Sequence, residues 1–169
     1  MKKLLFIAVL SMISICGFAR KNVTTTVVSQ DTVYYNNQMQ KVGNRADAEY
    51  YRLFAKENYQ GEQRDVFQDF YLNGNIRMQG GYAFLDLNND KNTVLDGNVT
   101  SYYPNGKEKW QCNYKNGKRQ GYLSLLLRDG SVVVAQYDNG TLVRNYLMIT
   151  HADGTMEKAP VSEYAHLLQ

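Results

Sequence analysis

Few residues in this chain have the type and spacing that catalysis or metal binding needs. The only two histidines are His151 and His166, and no Cys or His pair has metal-ligand spacing. The segment Asp86 to Asn92 alternates acids and amides as a calcium loop does, but it lacks the glycine and the distant glutamate of that motif. No serine lies in a Gly-x-Ser-x-Gly motif or has an evident histidine base. We therefore predict no metal and no cofactor.

Asp65 and Asp69 are the carboxylates whose spacing best suits joint acid–base work. They share one side of a strand if residues 65–69 are extended, but nothing in the sequence places a cleft around them. The chain is therefore predicted not to be an enzyme and to have no catalytic residues.

A repeat with a period of 24 residues organises most of the chain. Two sets of landmarks keep this spacing: Gly97, Gly121 and Asn145, and the turn residues Gly106, Gly130 and Gly154. An earlier unit turns at Gly74, and the interval to Gly106 is the period plus eight residues, which fall in an enlarged connection at 84–94. Such self-similarity is typical of repeat proteins, in which each unit buries its apolar face against its neighbours.

Each unit reads as two strands joined by tight turns. Asn105-Gly106 and Asn116-Gly117 lie between alternating runs, and Asn-Gly is the strongest hairpin signal because both turn residues must accept a positive φ. The predicted repeat-turn glycines are Gly74, Gly106, Gly117, Gly130, Gly140 and Gly154. The pattern predicts an all-β fold, an elongated antiparallel meander of repeated hairpins in a single sheet.

The alternation within these strands separates a core side from an outer side. Trp110, Cys112 and Tyr114 share one side of a strand. The shared core-facing position of the preceding strands holds Phe67, Val99, Leu123 and Leu147.

Three aromatic residues point to the opposite side of the predicted sheet, namely Phe70, Tyr102 and Tyr122. Tyrosine offers an amphipathic contact surface at low entropy cost, so these residues are a candidate binding surface for protein or sugar. The alternative is that they merely line a solvated sheet face.

The third unit departs from the pattern. The step from Gly130 to Tyr137 is one residue shorter than the step from Gly106 to Tyr114, which indicates a local bulge or its loss. Its strands, 123–127 and 132–135, are apolar on both sides and need cover on both faces. Helical spacing after Pro160 predicts a short C-terminal helical cap as that cover; otherwise the second face is a docking patch.

The first nineteen residues have the pattern of a secretory signal. Lys2 and Lys3 precede an apolar run, and small residues end it, which predicts cleavage after Ala19. The run is too short for a transmembrane span, so none is expected after cleavage. A lipid anchor at Cys16 is the alternative, although the branched Ile15 fits the lipoprotein peptidase badly.

The sequence then divides into five segments: a signal peptide at 1–19, a flexible tail at 20–30, N-terminal strands at 31–65, repeats at 66–156 and a cap at 157–169. Losing Lys2 and Lys3 lowers the basic residues from 19 to 17 against 16 acidic ones, so the net charge falls from +3 to +1. A near-neutral chain with interspersed charges gives no electrostatic footprint for nucleic acid.

Residues 97–122 resemble the MORN-repeat variant of bacterial exported proteins. The matching features are a leading glycine at Gly97, an aromatic pair before Asn105-Gly106, and Tyr114 before a second Asn-Gly-Lys. The resemblance covers about residues 66–156 and weakens after 122. It implies an open, elongated antiparallel sheet acting as a scaffold or binding module. Some relatives are described as antitoxins, a cytosolic role that is hard to reconcile with a signal peptide.

Together these features predict an exported, non-catalytic scaffold or protein–protein interaction module of the cell envelope. Its place would be the periplasm, the outer membrane or the medium, and its partner another envelope protein. The alternative is a glycan-binding or cell-wall-binding module that uses exposed tyrosines.

Overall fold

The computed structural model describes residues 24–28, 32–59 and 61–168, so the predicted signal peptide at 1–19 lies outside the described residues. The strands are β1 (Thr24–Val27), β2 (Val33–Tyr35), β3 (Lys41–Val42), β4 (Tyr50–Tyr59), β5 (Glu62–Tyr71), β6 (Ile76–Phe84), β7 (Val94–Tyr102), β8 (Glu108–Lys115), β9 (Lys118–Leu126), β10 (Val132–Asp138), β11 (Thr141–Leu142), β12 (Tyr146–Thr150) and β13 (Met156–Pro160). A 3-10 helix at Arg45–Asp47 precedes β4. The only α-helical turn in these residues is α1 (Val161–Tyr164).

All thirteen strands join one antiparallel sheet, which confirms the predicted meander. The order is β13-β12-β10-β9-β8-β7-β6-β5-β4-β2-β3, with β1 also paired to β4 and β11 to β10. Thr24–Val27, placed by the sequence in a flexible tail, instead forms a strand opposite residues 55–58 of β4. β4 is ten residues long and β2 pairs only with its first three, so its second half is open to β1.

One turn recurs four times, at residues 71–75, 103–107, 127–131 and 151–155. In each, the first amide donates to the fifth carbonyl, and the glycine amide donates back to the first carbonyl. The amide of the fifth residue also donates to a side-chain oxygen two residues earlier, on Asn73, Asn105, Asp129 and Asp153 respectively. The glycine φ angles lie between 83° and 92°, where a Cβ is strained. The repeat therefore continues through residue 154.

The short third unit has lost a bulge. The β5–β6 pairing shifts register so that Arg77 is an extra residue, and the β7–β8 pairing shifts so that Lys109 is. The β9–β10 pairing runs without a shift from Leu126 opposite Val132 to Gly121 opposite Tyr137. Loss of the extra residue accounts for the one-residue difference between the units.

One face of the sheet holds most of its buried side chains, although Ala55, Val66 and Thr100 are buried on the other face. We call the mostly buried side face A and define it by Phe67, Val99, Cys112, Leu123 and Leu147, whose exposed fractions are 0–4%. Four of these five were predicted to point into the core, and that prediction is confirmed. Face B is the opposite face.

The C-terminal cap packs on face A. Residues of α1 and of the 3-10 helix Ala165–Leu167 contact the apolar core around Cys112 and Leu123. A guanidinium nitrogen of Arg119 donates to the carbonyl of Leu168 at 2.6 Å and fixes the end of the cap. The predicted helical cap is therefore present, and it lies over one of the two faces of the third unit.

The enlarged connection between β6 and β7 also packs on face A, at the other end of the sheet. It contains a 3-10 helix at Asp90–Asn92 whose Asp90 is buried. Its backbone runs beside β3, where the amide of Lys41 donates to the carbonyl of Asn88 at 2.9 Å and that of Asp90 to Met39 at 2.8 Å. The eight extra residues thus fall in a covering segment, which we call the β6–β7 loop (residues 85–93). No helix in the described ranges is long and apolar enough to cross a membrane.

Candidate functional site

Face B carries a row of aromatic rings near the repeated turns. Tyr34 lies opposite Tyr51, and Tyr51 lies opposite Phe70. The rings of Tyr51 and Phe70 stack with centroids 5.2 Å apart and an interplanar angle of 15°, and Tyr34 is tilted against Tyr51 at 6.2 Å. All three side chains are half-buried. The predicted binding residue Phe70 is therefore one member of an aromatic stack.

Tyr102, the second predicted binding residue, belongs to a polar network on the same face. Its hydroxyl accepts a hydrogen bond from Gln79 at 3.1 Å, and the Gln79 side-chain carbonyl accepts one from Gln68 at 3.2 Å. Gln79 lies opposite Thr100, so the network crosses β5, β6 and β7. Tyr102 is half-buried and is held in place by this network.

Tyr122, the third predicted residue, is 66% exposed and stands apart from the other two. Tyr102 lies opposite Glu108, whereas Tyr122 lies in the irregularity beside Cys112 and Asn113 of β8. Glu108 and Asn113 are separated by about 16 Å along the strand at roughly 3.3 Å per residue. The structure therefore places Phe70 and Tyr102 at one end of the hairpins and Tyr122 at the other.

An apolar patch lies on face B of the last strands, with Tyr122 at one edge of it, opposite Gln136. The pairing of β9, β10, β12 and β13 aligns two rows on this face. One row holds Ser124, Val134, Met148 and Lys158, and the other holds Leu126, Val132, Thr150 and Met156. We call Tyr122, Leu126, Val132, Val134, Met148 and Met156 the C-terminal patch. Met156 is 67% exposed, and the four aliphatic members between it and Tyr122 are half-buried.

Two cations border the C-terminal patch. The guanidinium carbon of Arg144 lies 5.7 Å from the ring centre of Tyr146, and the ammonium of Lys158 lies 5.1 Å from it. Cations near an aromatic ring are attracted by its negative face. The border of the patch on β12 and β13 is therefore positively charged.

A buried charge cluster lies on face A beneath the β6–β7 loop. Arg52 is fully buried and donates to Asp69 from Nε at 2.6 Å and from Nη2 at 2.9 Å. It also donates to Asp90 from Nη1 at 2.6 Å and from Nη2 at 3.0 Å. Its guanidinium carbon lies 4.2 Å from the Phe67 ring centre and 5.4 Å from that of Tyr35. A planar guanidinium suits such double bidentate pairing and stacking.

Two hydroxyl groups complete the hydrogen bonding of the Asp90 carboxylate. Tyr50 donates to it at 2.7 Å and Thr93 at 2.8 Å. Burial raises the pKa of the Asp69 carboxyl above its usual range, against the lowering effect of Arg52. Burial likewise raises the pKa of Tyr35 to about 12, and its hydroxyl has no hydrogen-bond partner. Since Arg52 is bound to both carboxylates, the cluster serves to hold the β6–β7 loop on the sheet.

Sequence reasoning missed this cluster, although one signal was present. Arg52 lies on the same side of its strand as Tyr50, and Asp69 on the same side as Phe67. A charged residue at a core position of each of two neighbouring strands indicates a buried ion pair. The third member, Asp90, had no such signal because it lies in a polar loop.

The acidic residues considered as calcium ligands or as an acid–base pair bind other groups of this chain. Asp86, first of the calcium-like series, accepts hydrogen bonds from the amides of Asn88 and Asn89. Asp65 pairs with Lys56 at 2.9 Å on the surface while Asp69 is buried, so the two carboxylates do not face a common cleft. Across the described part of the chain, no group of three or more His, Cys, Asp or Glu residues is placed to hold a metal ion.

Comparison of the chain with protein-family models, with curated proteins and with solved structures gives no match. The resemblance to the MORN-repeat variant therefore stays a prediction that rests on the repeat residues.

Proposed function

We propose that this chain is a non-catalytic interaction module that binds another protein through face B. One observation carries the proposal. The chain covers face A with its own segments at both ends, whereas face B keeps Tyr122 66% exposed and Met156 67% exposed beside half-buried aliphatic side chains. Exposed apolar patches bordered by polar residues are typical of protein–protein interaction sites.

Export to the cell envelope is part of the proposal. It is supported by the basic start and apolar run of residues 1–19 and by the resemblance of the repeats to exported proteins. The intact mass of the protein recovered from its native cells tests it. Loss of residues 1–19 is expected, and a chain that keeps Met1 to Ala19 would contradict export by this route.

The ring geometry favours a protein over a glycan as the ligand. A sugar stacks on the open face of an aromatic ring, but Tyr51 and Phe70 turn their faces toward each other at 15°. Tyr122 is the one strongly exposed tyrosine among the side chains that the structure describes. A lone exposed ring at the edge of an aliphatic patch suits a protein surface better than a sugar chain.

Affinity capture with a matched pair of variants tests the proposal. Tyr122→Ala should reduce capture of the envelope partner and leave the midpoint of thermal unfolding nearly unchanged, because the side chain is exposed. Leu87→Ala is the control, since Leu87 is 41% exposed but lies on the β6–β7 loop. Equal capture by wild type and Tyr122→Ala, or binding of a purified polysaccharide instead of a protein, would contradict the proposal.

A further inference from the structure

The last strand, β13, presents unpaired backbone groups at the edge of the sheet. The amide of His151 donates to the carbonyl of Thr155, and the amide of Val161 donates to the carbonyl of Asn145. With the register between these two bonds, the backbone N–H and C=O groups of the odd-numbered residues of β13 point toward β12. The N–H and C=O groups of Met156 and Lys158 therefore point away from β12. In the strand order of the described residues, β13 is terminal. The edge at β3 differs, because the β6–β7 loop already runs beside it.

The side chains of these edge residues belong to the surface described above. Met156 and Lys158 lie on face B, next to Thr150 and Met148, and Glu157 lies on the other face. The side chains of Met156, Glu157 and Lys158 are all exposed. A strand added at this edge would therefore extend the C-terminal patch and meet one cation and one anion on opposite faces.

A second copy of this chain fits the edge poorly. In an antiparallel pair related by a twofold axis, one register places Glu157 opposite Glu157 and the next places Lys158 opposite Lys158. Like charges directly opposite each other destabilise a strand pair. The register centred on Ala159 sets Lys158 opposite Pro160, which has no N–H to donate. Every register that pairs three or more β13 residues thus carries a defect.

We propose that β13 accepts an extended segment of a different protein, with an acidic residue opposite Lys158, a basic residue opposite Glu157 and an apolar residue opposite Met156. Backbone hydrogen bonds at Met156 and Lys158 supply the attachment, and the alternate side chains supply the selectivity. Arg144 and Lys158 beside Tyr146 add positive charge on face B, where the acidic residue would lie. The inference rests on the proposed function and names the partner's chemistry.

Two synthetic peptides of equal length test it against the full chain. The first has Val, Lys and Glu placed to face Met156, Glu157 and Lys158, and the second has its Lys and Glu exchanged. The first should bind about fivefold more tightly by fluorescence anisotropy, since two cross-strand charge pairs change from attraction to repulsion. The double variant Glu157→Lys with Lys158→Glu should reverse that preference. Glu163→Lys, an exposed change on the cap, is the control and should leave it unaltered.

Amide hydrogen exchange locates the bound peptide. The amides of Met156 and Lys158 should exchange quickly in the free chain and slowly in the complex, while those of Glu157 and Ala159 are slow in both. Failure of both peptides to bind, a preference that ignores the double variant, or dimers formed through β13 would overturn the inference. The proposed function would survive that outcome if capture still depended on Tyr122, and it would fail separately if capture did not.

Discussion

The two ends of the sheet bury face A in different ways. Near β4 and β5, the buried side chains include Arg52 and Asp69, and the cover is a loop that supplies Asp90. Near β9 to β12, the buried side chains include Leu147 and Ile149, and the cover is the C-terminal cap. One face of one sheet thus accepts either chemistry, provided that every buried charge has partners.

The difference concerns specificity more than strength. An apolar core gains free energy from any well-fitting apolar cover, because the hydrophobic effect is non-directional. The Arg52 cluster accepts only a segment that presents a carboxylate at one position, since an unpaired guanidinium at 0% exposure is strongly unfavourable. The charged end therefore selects the β6–β7 loop, and the apolar end relies on shape.

Among variants at the two ends of the sheet, removal of the Arg52 side chain should lower the free energy of unfolding the most. Arg52→Ala leaves Asp90 without a cation and leaves Asp69 only its 3.4 Å contact with Arg77, so it should lower the free energy of unfolding by roughly 3–5 kcal/mol. Chemical denaturation measures the loss. Lys56→Ala, which breaks a surface pair with Asp65, is the control and should cost at most about 1 kcal/mol. Equal losses in the two variants would show that the cluster does not hold the loop.

Truncating the apolar end should have a somewhat smaller effect of a different kind. Leu147→Ala removes a side chain with 0% exposure and should cost about 2–5 kcal/mol, because a cavity remains. Met156→Ala, at 67% exposure, should stay within about 0.5 kcal/mol. Hydrogen exchange separates the two ends: Leu147→Ala should speed exchange in the cap, and Arg52→Ala in the β6–β7 loop. Identical exchange patterns would deny the division into two ends.

Two equivalent tyrosines link the units and should give intermediate effects. The hydroxyl of Tyr71 donates to the carbonyl of Tyr102, and that of Tyr103 donates to the carbonyl of Leu126, each at 2.8 Å. Replacing either by Phe should cost about 0.5–1.5 kcal/mol in a denaturation experiment. The next equivalent residue is Leu127, so the series ends there. A near-zero cost for both variants would contradict a role for these bonds between units.

The smallest expected effects come from titration of the carboxyl groups, which should separate the buried Asp69 from the exposed aspartates of the turns. Burial raises the folded-state pKa of Asp69, so its contribution to stability is present below the unfolded value of 3.8 and disappears as pH rises through the raised pKa. A hydrogen bond from the Ser131 amide lowers the pKa of Asp129, and the Thr155 hydroxyl lowers that of Asp153. Their contributions are present above 3.8 and are lost as pH falls through the lowered pKa. Carbon-13 NMR of each carboxyl group measures the three pKa values, and Asp69 should have the highest. An Asp69 pKa below those of Asp129 and Asp153 would contradict this prediction.

Much of the fold could be predicted because its signals are local. The 24-residue period, the Asn-Gly turns and the alternation that buries Phe67 and Leu147 each depend on neighbouring residues. The lost bulge was also visible as a one-residue difference between units. The helical spacing after Pro160 predicted the cap, because a terminal unit needs cover.

The remaining features depend on contacts between distant residues. Arg52 and Asp90 are 38 positions apart, and no local pattern joins them. The predicted surface of Phe70, Tyr102 and Tyr122 shared a face by alternation, but alternation does not fix position along the strands, and the structure separates Tyr122 from the other two. The sequence predicts that the second face of the third unit is either covered by the chain or a docking surface. Only the placement of the cap on face A distinguishes them.

Covalent footprinting of the full chain, alone and in complex with its captured partner, tests the central claim most directly. If face A is closed by the chain itself and face B takes the partner, labelling of Tyr122 and Met156 should fall in the complex, while labelling of Leu87 stays constant. Protection of the β6–β7 loop or of the cap, with Tyr122 labelled as before, would contradict the account.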